Sequence, residues 1–301
     1  MCGIVGYFDK TGSHNHLLGK VLLGMLEALA CRGPDSAGVA LFGVPQPAQL
    51  IVRVKLGNEG VGTERVLAIK AIAGKFGAQE FVQKGDYLRF AVVEDVDLRA
   101  FIPSIESVAP DVEVVSVGHR LEIVKQVGSP SRLEQTFGIS KFQGGHGIGH
   151  TRLSTESVVD LSHSQPFWAH GYPDLAIVHN GHITNYHQLR RRYQERGVRF
   201  YTENDSEVVA IFLADQLRQG VPLRAALEYM ITELDGSFSC LVATDSALAF
   251  VKDAFSFKPL LYAETDSFAA VATEEIAMRG AIPGDYIVRE GRAREVQIWQ
   301  K

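Results

Sequence analysis

The chain commits its first residues to the interior. Gly3-Ile4-Val5-Gly6-Tyr7-Phe8 follows directly on Met1-Cys2 and carries no charge and no proline, the pattern of a strand buried in a sheet. Over 16–33, Leu17, Leu18, Val21, Leu22, Met25, Leu26 and Leu29 recur at helical spacing, and Gly33-Pro34 ends the run. Residues 37–42 then read as a second strand. A strand, an amphipathic helix and a strand in such quick succession place the N-terminus in the core sheet. Cys2 therefore sits at a strand's edge and not on a loose tail.

A second alternation begins near Gly147. It contains a strand through His150, another over 175–178, and helices over 185–196 and 206–219. Leu223, Ala226, Leu227, Met230, Ile231 and Leu234 mark a further helix, after which Asp235-Gly236 turns the chain into β-rich runs reaching Ala272. Between these two regions, residues 45–145 keep their own rhythm. Strand-like runs occupy Tyr87–Val93, 112–117 and Leu121–Val127, and Pro45, Pro47, Pro103, Pro110 and Pro130 punctuate them. The stretch is too apolar for a linker and reads as a folded insertion in a domain whose core is 1–44 and 146–301. Periodicity alone gives a mixed α and β chain.

Composition narrows the function classes. At 301 residues and 46% hydrophobic content the chain can bury one large core or two modest ones. The 30 basic and 35 acidic side chains give a net charge of -5 and are scattered, which argues against a nucleic-acid surface. No apolar stretch of about 20 residues suggests a membrane span, and the first residues lack the basic head and apolar middle of a secretory signal. A cytoplasmic protein without a membrane partner is the expectation. The cysteines Cys2, Cys31 and Cys240 are too few and too dispersed for a disulfide framework or a paired zinc motif.

Cys2 is the one with chemical promise. Removal of Met1 would leave a thiol and a free α-amine on one residue, and these titrate at ~8.5 and ~8 respectively. The amine can then accept the thiol proton near neutral pH without a separate histidine. A small buried cysteine at a strand start is the plainer reading of this residue taken alone.

Other blocks favour the chemical reading. They are Met1-Cys2-Gly3-Ile4-Val5-Gly6, Arg32-Gly33-Pro34-Asp35-Ser36-Ala37-Gly38, Gly149-His150-Thr151-Arg152, Ser164-Gln165-Pro166-Phe167, His179-Asn180-Gly181 and Asn204-Asp205-Ser206-Glu207. Asp235-Gly236-Ser237-Phe238 and Lys258-Pro259-Leu260 add weaker echoes. In this order the chain resembles the class II glutamine amidotransferases, whose glutaminase domain is an N-terminal-nucleophile hydrolase. The resemblance implies an α+β fold: a four-layer αββα sandwich of two antiparallel sheets with helices outside, here carrying a long α/β insertion.

It also implies roles. Cys2 attacks the side-chain carboxamide of L-glutamine, and the Asn180 amide with the Gly181 backbone N–H receives the oxyanion. Arg152 grips the substrate α-carboxylate, Asp205 takes the α-ammonium, and Thr155 adds a hydroxyl contact. Taken alone, Arg152 reads as an ion-pair partner and Asp205 as a cap of the helix after it, a role it can combine with substrate binding. Arg32 and Asp35, in a turn between helix and strand, read as structural and stay outside the catalytic set.

Seven histidines fall between 146 and 187: His146, His150, His163, His170, His179, His182 and His187. The His146…His150 spacing suits a metal site only on a helix, and Gly144, Gly145, Gly147 and Gly149 argue against one, so no metal is expected. Those glycines lead into a strand, unlike a dinucleotide fingerprint, and are expected to allow close backbone approach around the site.

Class II members commonly carry a second catalytic domain that uses the ammonia, and this chain ends without one. Val92-Val93-Glu94-Asp95-Val96-Asp97 begins like a phosphoribosyl-pyrophosphate loop but lacks the small residues that should follow. The acceptor is therefore expected on a partner chain in a hetero-oligomer. The resemblance is to stand-alone glutaminase subunits of glutamate-synthase-like systems, N-methylglutamate synthase among them, whose large subunit carries FMN and iron–sulfur clusters. No cysteine cluster here could hold such a centre, so those cofactors are expected on the partner and none on this chain. The insertion is the candidate docking surface. Two other readings stand beside this one: a noncatalytic glutamine-sensing or scaffold subunit, favoured if Met1 is retained, and an amidase acting on another amide.

Overall fold

The structure is a computed structural model that describes residues 2–57, 62–154 and 158–301. In chain order the first elements are β1 (Gly3–Asp9), α1 (Leu18–Ala28), β2 (Ser36–Phe42), β3 (Gln49–Lys55), α2 (Thr63–Gly74), β4 (Gln79–Lys84) and β5 (Tyr87–Val93). There follow α3 (Leu98–Glu106), β6 (Glu113–Gly118), β7 (Leu121–Val127), α4 (Pro130–Phe137), β8 (His146–Arg152), β9 (Phe167–Trp168) and β10 (Ala176–Ile183). Helices α5 (Tyr186–Glu195), α6 (Asp205–Arg218) and α7 (Leu223–Glu233) precede β11 (Gly236–Ala243) and β12 (Ala247–Lys252). The last elements are β13 (Leu261–Glu264), β14 (Phe268–Ala272), α8 (Glu275–Ala281), β15 (Val288–Glu290) and β16 (Val296–Gln300).

Two antiparallel sheets form the centre, one of seven strands in the order β15-β13-β14-β1-β8-β2-β7 and one of five in the order β16-β12-β11-β10-β9. Alternation along each strand divides its side chains between two cores. On β1, Ile4 and Phe8 face the second sheet, where Val178 of β10 and Leu241 of β11 meet them, together with Leu248 and Phe250 of β12. Val5 and Tyr7 point outward, into a cluster with Leu22, Leu26, Ala277 and Met278 of α1 and α8. On the far side, Ile177, Cys240, Val242 and Val251 face outward against Val209, Leu213, Leu227 and Met230 of α6 and α7. Helix, sheet, sheet and helix stack as the expected αββα sandwich. Each of these apolar stripes has a partner layer.

The third sheet, in the order β4-β5-β3-β6, comes wholly from the 45–145 segment. Leu50, Val52, Val54, Leu88 and Phe90 pack there against Val66, Ile69, Phe101 and Ile105 of α2 and α3, in a core continuous with that of the sandwich. Pro103, a boundary signal in the sequence, lies inside α3, and that helix is opened by Asp97, whose carboxylate accepts from the Arg99 N–H at 3.0 Å. The later part of the segment returns to the sandwich: β7 pairs with β2 from Phe42↔Leu121 to Ser36↔Val127, and Leu133 and Phe137 of α4 pack with α1.

The glycines of β8 serve this packing. A Cβ on Gly147 would lie 2.8 Å from Leu22 and 2.7 Å from the Ala40 carbonyl, and one on Gly149 would lie 3.1 Å from Leu26. They let α1 approach the central strand, away from the site where the sequence pattern suggested their role. Among the described residues no helix is long and apolar enough to cross a membrane.

Candidate active site

The sheet registers bring the site together. Gly3↔Thr151 and Ile4↔His150 pair β1 with β8, which sets Cys2 beside the end of that strand, where Arg152 and Leu153 follow. The Leu153 N–H points at the Cys2 sulfur at 3.4 Å, and the sulfur lies 3.6 Å from the Leu153 carbonyl. The Cys2 carbonyl accepts from the Asn180 Nδ2 at 3.1 Å and the Arg32 Nε at 3.3 Å. The backbone of Cys2 is thus held from two sides.

Asn180 and Gly181 lie on β10, opposite Ser239 and Phe238 of β11. Gly181 has φ +145°, and a Cβ there would stand 2.1 Å from the Ser237 carbonyl. Both the backbone conformation and the space require glycine. Behind Asn180, burial pushes the His150 imidazole down to about 3, with the Asn180 side chain pulling the other way. Burial likewise lowers His179. Burial thus disfavours the charged form of both rings.

Asp205 opens α6, but its neighbour caps the helix: the Asn204 side chain accepts from the Ser206 N–H at 3.0 Å. The capping role expected of Asp205 belongs to Asn204. Asp205 instead accepts from the Ile183 N–H at 2.8 Å and lies 3.7 Å from the His179 ring. Arg152, 5% exposed, donates to the Val158 carbonyl at 3.0 Å. Cys2, Arg152, Asn180, Gly181 and Asp205 line one cleft of about 360 Å³, with Gln165, Tyr186, Glu203 and Ser206 completing it. Thr155 lies outside the described residues.

Two sets of contacts escape the sequence reading. Arg32 reads there as a structural ion-pair partner, and it does pair with Glu274, yet its Nε also holds the Cys2 carbonyl. Asp35 accepts from the Ser154 N–H at 2.7 Å and so ties the turn after α1 to the chain beside Cys2. The second set is a knot: Gln165 Oε1 accepts from the His179 N–H at 2.6 Å, and its Nε2 donates to the His179 carbonyl at 2.9 Å and to Ser206 Oγ at 3.2 Å. All three residues lie inside the family-like blocks, which is the signal the sequence offers for them. The histidines themselves disperse: His146 stacks on Phe42, His170 on Tyr201, and His163 bonds Asp160. Among the described residues no group of three or more His, Cys, Asp or Glu could hold a metal ion.

An αββα sandwich with a cysteine at the head of a central strand, beside an amide donor on a polar cleft, defines an N-terminal-nucleophile hydrolase. A family model described as "Glutamine amidotransferase domain" matches residues 150–279. A putative glutamine amidotransferase of Methanothermobacter thermautotrophicus is 34% identical over 286 residues, covering 93% of this chain and 93% of that protein. The glutamine amidotransferase-like protein GlxB of Rhizobium meliloti is 34% identical over 281 residues, 92% of this chain and 91% of its own. The chain belongs to the class II glutamine amidotransferase family. Its fold is similar to that of the allosteric regulatory enzyme of purine biosynthesis, with TM-score 0.66 at 19% identity, across 99% of this chain and 47% of that one. The Bacillus subtilis glutamine phosphoribosylpyrophosphate amidotransferase gives TM-score 0.64 over the same shares. The chain spans about half the length of these two structures.

Proposed function

We propose that this chain hydrolyses L-glutamine to glutamate and ammonia and delivers the ammonia to a partner synthase subunit. The observation that carries the reading is the gathering of the Cys2 thiol, the Asn180 amide, a guanidinium and a carboxylate in one cleft. With Met1 removed, the Cys2 α-amine takes the thiol proton as the sulfur bonds to the substrate carboxamide carbon. The oxyanion accepts from the Asn180 side chain and the Gly181 N–H, each donor contributing about 3 kcal/mol. Collapse of the intermediate expels ammonia, protonated from the amine, and leaves a Cys2 thioester that water cleaves to glutamate, regenerating the thiol. Arg152 and Asp205 supply the opposite charges that select a free amino acid, with Thr155 as an added hydroxyl contact.

Ammonia set free in bulk water would be protonated and lost, which favours transfer within a complex. The resemblance to stand-alone glutaminase subunits supports an FMN-dependent, glutamate-synthase-like partner that carries the flavin and iron–sulfur centres. The test is the intact mass of the purified chain before and after a glutamine-mimicking diazoketone, with Cys2→Ala as control. Loss of Met1 and one adduct mapping to Cys2 are expected. A processed chain that stays unlabelled, with candidate synthase subunits present, would replace this reading with a glutamine-sensing role.

A further inference from the structure

Charged groups are buried where the third sheet meets the sandwich. Lys55 of β3 and Glu113 of β6 have side chains only 3% and 8% exposed. Between them stands Ser162, whose hydroxyl accepts from Lys55 Nζ at 2.5 Å and donates to Glu113 Oε2 at 2.6 Å. The other Glu113 oxygen is 3.9 Å from His170 Nε2. Lys125 of β7 sits 5.0 Å over the ring of Phe167. Burial alone would push Glu113 up, but the ammonium groups of Lys125 and Lys55 hold it below the usual carboxylate range. Burial takes Lys125 down to about 8. Such a cluster is a costly way to fasten a segment that apolar contact would hold as well. What it adds is direction.

Ser162 lies at the middle of a turn with one end on each side of the cleft. Asp160 closes the turn, accepting through Oδ1 from the His163 N–H at 2.8 Å and through its carbonyl from Ser164 Oγ at 2.6 Å. On the near side, Val158 presents the carbonyl that receives the Arg152 guanidinium. On the far side, Gln165 enters its knot with His179 and Ser206, next to Asn180 and Asp205.

We propose that Ser162 is a positioning residue for glutamine: held by Lys55 and Glu113, it fixes the turn whose two ends orient Arg152 and Gln165, and so couples the 45–145 segment to substrate affinity. The proposal rests on the glutaminase reading above. An error of about 1 Å in a positioned group can lower kcat/KM as much as 100-fold, and where the group serves only binding the loss appears in KM.

The experiment measures glutamine hydrolysis and Cys2 labelling in the full chain for wild type, Ser162→Ala and Ser162→Thr. Ser162→Ala is expected to raise KM about tenfold with kcat changed by less than about threefold, and Ser162→Thr, which keeps the hydroxyl, to restore KM. Labelling by the diazoketone, which needs the amino-acid contacts, should slow in Ser162→Ala, while alkylation by iodoacetamide, which needs only the thiol, should not. An unchanged KM overturns the proposal, as does an equal fall in both labelling rates, which would mean general damage. Should Ser162→Ala not fold, Lys55→Met, which leaves the Ser162–Glu113 bond, takes its place: a raised KM with selective slowing of the diazoketone supports the proposal, and an unchanged KM overturns it. A wild type that neither hydrolyses glutamine nor takes the diazoketone would instead bring down the glutaminase reading itself.

Discussion

The two walls of the cleft are built by different means. Cys2, Asn180 and Gly181 belong to one wall, and each lies on or beside a β-ladder: β1 is flanked by β8 and β14, and β10 by β9 and β11. Gln165 and Asp205 belong to the other, where side-chain hydrogen bonds do the holding, to His179, Ser206 and Ile183; Arg152 stands between the two walls, its backbone at the end of β8 opposite Ser36 and its guanidinium held by the Val158 carbonyl. Backbone ladders fix atoms with little latitude. Side-chain contacts can be retuned one residue at a time, so the first wall suits bond-making and the second suits recognition.

That division predicts how substitutions sort. Cys2→Ala should remove glutamine hydrolysis, a loss of about 10⁴-fold or more, while the protein stays folded; residual Cys2-independent turnover would break the assignment of the first wall. Asn180→Ala is expected to lower kcat by about 10²–10³-fold with KM nearly unchanged, and a change confined to KM would move Asn180 to the recognition wall. Arg152→Lys should do the reverse, raising KM about tenfold to 100-fold because an ammonium cannot reproduce the bidentate grip of a guanidinium; steady-state kinetics separates the two outcomes. Gly181→Ala should cost about 2–3 kcal/mol of stability in chemical denaturation, since both φ and the Ser237 carbonyl oppose a side chain.

A different kind of test concerns pH. Buried His150, His146 and His170 titrate at about 3, 4 and 4, below the unfolded value of 6.5. The unfolded chain therefore binds more protons than the folded one below pH about 6.5, so stability is full above that value and falls as the pH drops, by at most about 1.4 kcal/mol per unit for each ring. Denaturation midpoints at pH 7, 6 and 5 should decline in that order. A flat profile would show that these rings are not desolvated.

Much of the first wall is legible in the sequence, because its signals are local: an apolar run after Cys2, a helix of regular period, and short blocks of fixed order. The 45–145 segment is harder. Its strand β3 and helices α2 and α3 do not stand out, since α2 shows little amphipathic contrast and Pro103 reads as a break, although α3 carries it internally. Arg32 and Cys2 are 30 residues apart, and Ser162 and Lys55 107 apart. Contacts across such separations depend on which sheets pack together, and no spacing rule announces them. Asp205 shows a finer limit: two adjacent residues could each cap the helix, and only the backbone's entry into α6 decides for Asn204.

The ladder that pairs β1 with β8 starts at Gly3, opposite Thr151. Under the proposed chemistry, folding and ripening are separate events. A chain bearing an uncleaved initiator or an N-terminal purification handle should be well folded yet inert, because its nucleophile would lack the free amine.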